Sequence, residues 1–203
     1  MRRLKQIRLE VDKTADALGK PIDNGIKETV VFLNALGITT TGSCEGHMKN
    51  GLPWPWVDIE DPDQPEEQFE DQNKIFEEFA KKNGLKAEKL KRGEPLDVWL
   101  SAHKTARKNP ETAAYRDWTK KNEEIVRKVK DLLKEYYNTK EVEDSKRLTV
   151  NGTRLESKRE TDDDPDISSE IREDYNKALP QKQAEMAAFT KFLEGKYQQE
   201  RDE

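Results

Sequence analysis

The sequence predicts an α+β protein: a small, mainly antiparallel sheet flanked by helices, interrupted by a long helical insertion. Three observations carry that expectation. A helix-patterned stretch at 23–36 runs into β-branched residues and then a second alternating run, Trp56-Val57-Asp58-Ile59-Glu60. Asn151-Gly152 sits between two further alternating runs, Arg147–Val150 and Thr153–Glu156, which is hairpin chemistry. Between these two halves lies a charged, helix-rich segment closed by the longest periodic run in the chain.

The elements follow in order. Residues 1–21 read as a short strand or an irregular lead-in. Asp23 is placed as a helix N-cap, with Ile26, Val30, Leu33 and Leu36 on one face and Gly37 as the C-terminal stop. Ile38–Thr41 reads as a strand, residues 42–52 as a loop and residues 56–60 as a second strand. Residues 61–67 form an acidic linker. A helix is expected over 66–82, shorter helical pieces around Trp99 over 85–109, and a long helix from Pro110 to Asn138. In that helix Tyr115, Trp118, Asn122, Ile125, Val129, Leu132 and Tyr136 alternate by three and four positions, a coiled-coil seam with one polar member. Its length is roughly 40 Å at about 1.5 Å per residue. Residues 157–170 carry a disorder composition, and a last helix is expected over 180–199. The organisation expected is therefore a core made of residues 1–62 plus 145–203 and a helical insertion at 63–144 that contains the seam helix, 110–138.

Composition limits the function classes. The 203 residues are 33% hydrophobic and 39% charged, with a net charge of −5; mean hydropathy is −1.10. A small core and long exposed helices are expected, and a generic nucleic-acid coat protein is not. No apolar run reaches the roughly 18 residues of a membrane span. The basic N-terminus has no apolar stretch behind it and is not read as a secretory signal. A single cysteine excludes an internal disulfide, so a reducing cytoplasm is the expected location.

Chemistry is concentrated in residues 37–59, GITTTGSCEGHMKNGLPWPWVDI. They hold the only cysteine, one of the two histidines and two of the four tryptophans. Four readings stay open. Cys44 and His47 are two ligands of a zinc or iron site, to be completed by Glu45, Asp58, Glu60 or His103. Alternatively Cys44 is a nucleophile activated by His47, although the charge of Glu45 opposes thiolate formation. In a third reading Gly42, Ser43 and Gly46 turn backbone N–H groups toward an anionic or nucleotide-like ligand, with Trp54 and Trp56 as a stacking face. In the fourth the loop is structural and Cys44 is a small buried hydrophobe. The site expected is Ser43, Cys44, Glu45, Gly46 and His47, supported by Trp54, Trp56 and Asp58, with Cys44, His47 and Glu45 as the chemical groups and Cys44 and His47 as metal ligands.

Other clusters are read more plainly. Asp61, Asp63, Glu66 and Glu67 form a solvated linker. The DDDPD run at 162–166 lacks the spacing and glycine of a calcium loop. His103, Lys104, Arg107 and Lys108 lie on an exposed helix face. Against a small-molecule site stands an interaction module, in which the seam helix pairs with a second copy or another partner and the loop is structural.

With these residues in place, the run from Asp16 to Glu60 resembles uncharacterised bacterial proteins that share a Thr-x-x-Ser-Cys-Glu-Gly-His core after an Asp-x-x-Ile…Leu-Asn helix. It is more distantly similar to the wybutosine-synthesis methyltransferase family, through Asp23, Asn34, Thr41, Ser43, Cys44 and Gly46. His47 stands where that family has arginine, and Glu45 where it has serine. This second resemblance implies a tRNA-modifying enzyme that uses S-adenosylmethionine, and locally a helix, a strand and a Ser-Cys loop in succession.

Overall fold

The computed structural model describes residues 4–16, 18–48, 52–158 and 169–202. The protein is α+β, with helices α1 (Leu4–Lys13), α2 (Asn24–Ala35), α3 (Gln72–Lys82), α4 (Ala87–Lys91), α5 (Leu96–Ala106), α6 (Ala113–Asn138) and α7 (Ser169–Asp202). Its strands are β1 (Gly42–Cys44), β2 (Trp56–Asp58), β3 (Leu148–Asn151) and β4 (Arg154–Ser157), all antiparallel in the order β1-β2-β4-β3. The chain divides into two compact units, Met1–Pro62 with Asn122–Glu203, and Asp63–Lys121.

In the first unit α2 is the central helix. Ile26, Val30, Val31, Phe32, Leu33, Ala35 and Leu36 are all buried, so more than one face of it is covered. Ile7 and Val11 come from α1, Met186, Phe189, Leu193 and Tyr197 from α7, and Val57, Leu148 and Leu155 from the sheet. The lead-in expected at 1–21 is therefore largely a helix, α1. Ile7 and Val11 are one turn apart on its inner face, which is what a short amphipathic helix needs to dock on α2.

The C-terminal half of the α6 seam is spent inside the chain. Val129, Leu132, Leu133 and Tyr136 are buried in the same core as Phe189, so these residues are not a face for a second copy. Asn122, the polar seam member, accepts the Asp61 N–H through Oδ1 at 2.8 Å. The insertion expected at 63–144 is correspondingly shorter: the second unit ends at Lys121, because the helix beyond it belongs to the first core. Phe69, Phe76, Ala80, Leu90, Ala102 and Ala106 form the second unit's own core.

Several boundaries move for local reasons. The stretch expected as a strand, 38–41, is not one; the strand is Gly42–Cys44, inside the expected loop, because β2 offers only Trp56–Asp58 to pair with and the register sets Gly42 opposite Asp58. Ile38 instead fills the core. α3 starts at Gln72 rather than 66, because Phe69 bridges to Glu111 and the Gln72 side chain accepts the Gln68 and Phe69 N–H groups. α6 starts at Ala113, where Thr112 Oγ1 accepts the Tyr115 N–H at 3.1 Å, a true N-cap. The last helix begins at Ser169, well before 180, and carries Pro180 within it. The hairpin turn is Gly152-Thr153: Asn151 stays in β3 opposite Arg154, and Gly152 alone has positive φ, at 58°. That is the pattern of a type II′ turn, not the type I′ turn expected of Asn-Gly. Of the segment expected to be disordered, 159–168, including DDDPD, lies outside the described residues. Among those described, no helix is long and apolar enough to cross a membrane.

Leu155 is fully buried at the centre of β4. Leu155→Ala is expected to lower the unfolding free energy by about 2–5 kcal/mol, measured by urea denaturation. A loss below about 1 kcal/mol would mean that the sheet is not the floor of this core.

Candidate functional site

The loop after β1 is held by its own backbone. Three successive N–H groups are used internally. Glu45 donates to Asp23 Oδ2 at 3.2 Å, Gly46 to Cys44 Sγ at 3.3 Å, and His47 to the Leu52 carbonyl at 3.0 Å. The N–H groups of Glu45, Gly46 and His47 are therefore committed within the protein. Gly46 is buried with φ at 90°, and a Cβ there would lie 2.8 Å from Leu179 Cδ1 and 2.8 Å from the Trp54 carbonyl carbon. Only glycine fits this turn without a shift.

Glu45 is a tie rather than an acid–base group. Its carboxylate accepts the Gly25 N–H at 2.7 Å, at the start of α2, and its carbonyl accepts Gln183 Nε2 of α7 at 3.0 Å. Asp23 precedes α2 as the sequence predicts, but its side chain makes no cap bond. Glu45 takes over the cap from a distant loop, and Asp23 is released to face that loop. There its Oδ2 lies 3.1 Å from His47 Nε2.

Asp23, Cys44 and His47 thus converge, with one donor atom from each lying within 4.8 Å of the others. All three are half-buried. Burial pushes the Cys44 thiol up from its ordinary range; the Gly46 N–H opposes this, and the charges of Asp23 and Glu45 reinforce it. These surroundings favour the thiol over the thiolate and work against the activation that a nucleophilic Cys44 would need.

The other residues expected at the site are used elsewhere. Trp54 is only 4% exposed and gives its indole N–H to the buried Glu156 at 3.1 Å, so it offers no stacking face. Asp58 forms a two-point ion pair with Arg154, at 2.6 and 3.0 Å. Glu60 accepts from Thr41 and Thr153. His103 is stacked on Trp99 in the second unit, with ring centroids 4.8 Å apart. None of these completes the Cys44–His47 pair; Asp23 does. The local sequence marks Asp23 as a helix cap and as one position of the methyltransferase resemblance, but not as a partner of Cys44 and His47, because the tertiary fold brings them together.

Asp23 and His47 open onto a cleft of about 960 Å³ along β1, the free edge of the sheet. Ser43, Asn34, Thr40 and Trp56 also line it. Asn34 Nδ2 is committed to the Val30 carbonyl at 2.8 Å and to Thr40 Oγ1 at 2.9 Å, which leaves Oδ1 as an acceptor. The Ser43 hydroxyl has no partner among the described residues. Trp56 carries the Arg154 guanidinium 4.1 Å from its ring centroid. The titratable lining is Glu10, Asp16, Asp23, His47 and Lys20, acidic on balance. No protein-family model matches the chain, and no curated protein and no solved structure does either.

Gly46→Ala is expected to cost at least about 1–3 kcal/mol from the positive φ alone, read from a urea melt. If the variant proves as stable as the parent, the loop does not hold the described turn.

Proposed function

We propose that this protein is an enzyme that takes a small polar molecule of nucleotide-like kind into the β1-edge cleft and acts on it through the Asp23–His47 pair. One observation carries the reading: the bonded imidazole and carboxylate open onto a cleft where, among the described residues, the Ser43 hydroxyl and Asn34 Oδ1 meet no partner. An imidazole oriented by a carboxylate is suited to moving a proton to or from a bound group. Ser43 and Asn34 Oδ1 would orient that group, and Trp56 would supply an apolar wall of the kind small-molecule sites use. The lining argues for a neutral or cationic face on the molecule, unless a cation in the cleft balances the carboxylates. Because the motif resembles that of the wybutosine-synthesis methyltransferases, S-adenosylmethionine belongs among the ligands screened, beside nucleosides and nucleotides.

The alternative of an interaction module loses its main support, since the buried end of the α6 seam is core.

The test is a thermal-shift screen of the purified full chain with these compounds, followed by calorimetric affinity for any hit. A hit is expected to raise the melting temperature of the wild type. Asn34→Ala and His47→Ala are each expected to weaken its binding at least tenfold, or about 1.4 kcal/mol, with folding preserved. The reading is abandoned if hits bind both variants as tightly as the parent. It is also abandoned if nothing binds and His47→Ala instead unfolds the chain, as loss of a purely structural contact would.

A further inference from the structure

We propose that Asp23, Cys44 and His47 bind one divalent metal ion of the zinc class and leave a coordination position open to the cleft. The inference rests on the cleft reading above and changes one role in it: with the ion bound, His47 Nε2 and Asp23 Oδ2 are ligands rather than a proton-moving pair.

Three donors of three chemical kinds arrive from two distant segments, the start of α2 and the loop after β1. Their atoms lie within 4.8 Å of one another. Donors around a tetrahedral zinc, bound at about 2.0–2.3 Å, are about 3.3–3.8 Å apart. Closing that difference calls for side-chain rotation, and all three side chains are only half-buried. His47 Nε2 and Asp23 Oδ2 are already 3.1 Å apart.

The backbone is arranged for anionic ligands. The Glu45 N–H donates to the Asp23 carboxylate and the Gly46 N–H to the Cys44 sulfur. Such bonds orient metal ligands and strengthen when the ligand is charged. Asp23 as carboxylate and Cys44 as thiolate together carry two negative charges, which one divalent cation balances; His47 binds neutral. Cys44 gives up its proton to solvent on binding, and no oxidant or reductant is involved.

The donor set selects the metal. A thiolate with an imidazole suits zinc and its neighbours, whereas magnesium and calcium take oxygen donors. Three protein ligands rather than four is the count of a catalytic site, with the remaining position left for water or substrate. Here Asp23 and His47 line the cleft and Cys44 does not. The open position therefore faces the cleft. A cation there also balances an acidic lining, so an anionic ligand would be admitted only with the metal in place.

The experiment uses chelator-stripped, untagged full chain. Zinc titration against a chromophoric competitor is expected to show one tight site per chain. Cobalt(II) is expected to give a near-ultraviolet thiolate-to-cobalt charge-transfer band and the intense visible bands of a tetrahedral ion. Cys44→Ser should abolish the charge-transfer band. Asp23→Asn and His47→Gln should each weaken zinc binding at least tenfold, and Glu60→Gln should leave it unchanged. Should a substitution prevent folding, the wild-type cobalt spectrum still decides. No zinc binding by the wild type, or binding without the thiolate band, overturns the proposal; the second outcome would be an adventitious ion only. A wild type that binds no zinc yet responds to a ligand in the thermal-shift screen would refute this inference and leave the cleft reading standing. A loaded metal site with no ligand response would do the reverse.

Discussion

The site depends on an exchange of carboxylates between two segments. Asp23 stands at the N-cap position of α2 yet gives its carboxylate to the Glu45 N–H. Glu45 gives its own to the Gly25 N–H inside the first turn of α2. Each segment thereby satisfies a backbone donor of the other. The pair does in trans what a capping box does within one helix. Gly25 permits the approach, since a Cβ there would lie 2.6 Å from Glu45 Oε2. The exchange sets the position of Cys44 and His47 relative to α2, and hence whether three donors meet at all.

What keeps that exchange in place is burial on either side of it. α2 is held by α1, α7 and the sheet, so its N-terminus is not free to move away from the loop. From α7, Gln183 reaches the Glu45 carbonyl and Leu179 packs against Gly46. Behind the loop Trp54 is locked to the buried Glu156. On β2 Trp56 lies under Arg154, which Asp58 pins with two bonds. Well-buried supports of this kind give a short loop the fixed geometry that proton transfer or metal binding requires. The cost falls on β1, which has three residues and an open edge. Short edges resist pairing with other chains, so the fold exposes this one for the cleft at little risk of aggregation.

The α6 seam shows how one pattern serves two outcomes. A stepping of three and four positions is required equally of a helix that meets its own core and of one that meets a second copy. Here Val129, Leu132 and Tyr136 meet Phe189 and Met186 of α7 in one core. Nothing local to α6 distinguishes the two cases. The difference lies in α7, which begins 31 residues after α6 ends.

What the sequence determined was local. The helix at 23–36 follows from the spacing of Ile26, Val30 and Leu33 and the stop at Gly37. The hairpin follows from Asn-Gly between alternating runs and β2 from the alternation at 56–60, whereas β1 lies in a stretch that reads as loop. The crowding of Cys44, His47 and glycine pointed to the loop after β1 because those residue types are scarce elsewhere. Tertiary structure decided which groups meet. Asp23 joined the site, Glu45 became a tie, Trp54 was buried, and Asp58 was consumed by Arg154. The physical reason is range. Periodicity and turn chemistry act over one or two turns of chain and leave a mark in composition. A carboxylate's partner is chosen by whichever donor the packed core brings within about 3 Å, and no spacing in the sequence records that choice.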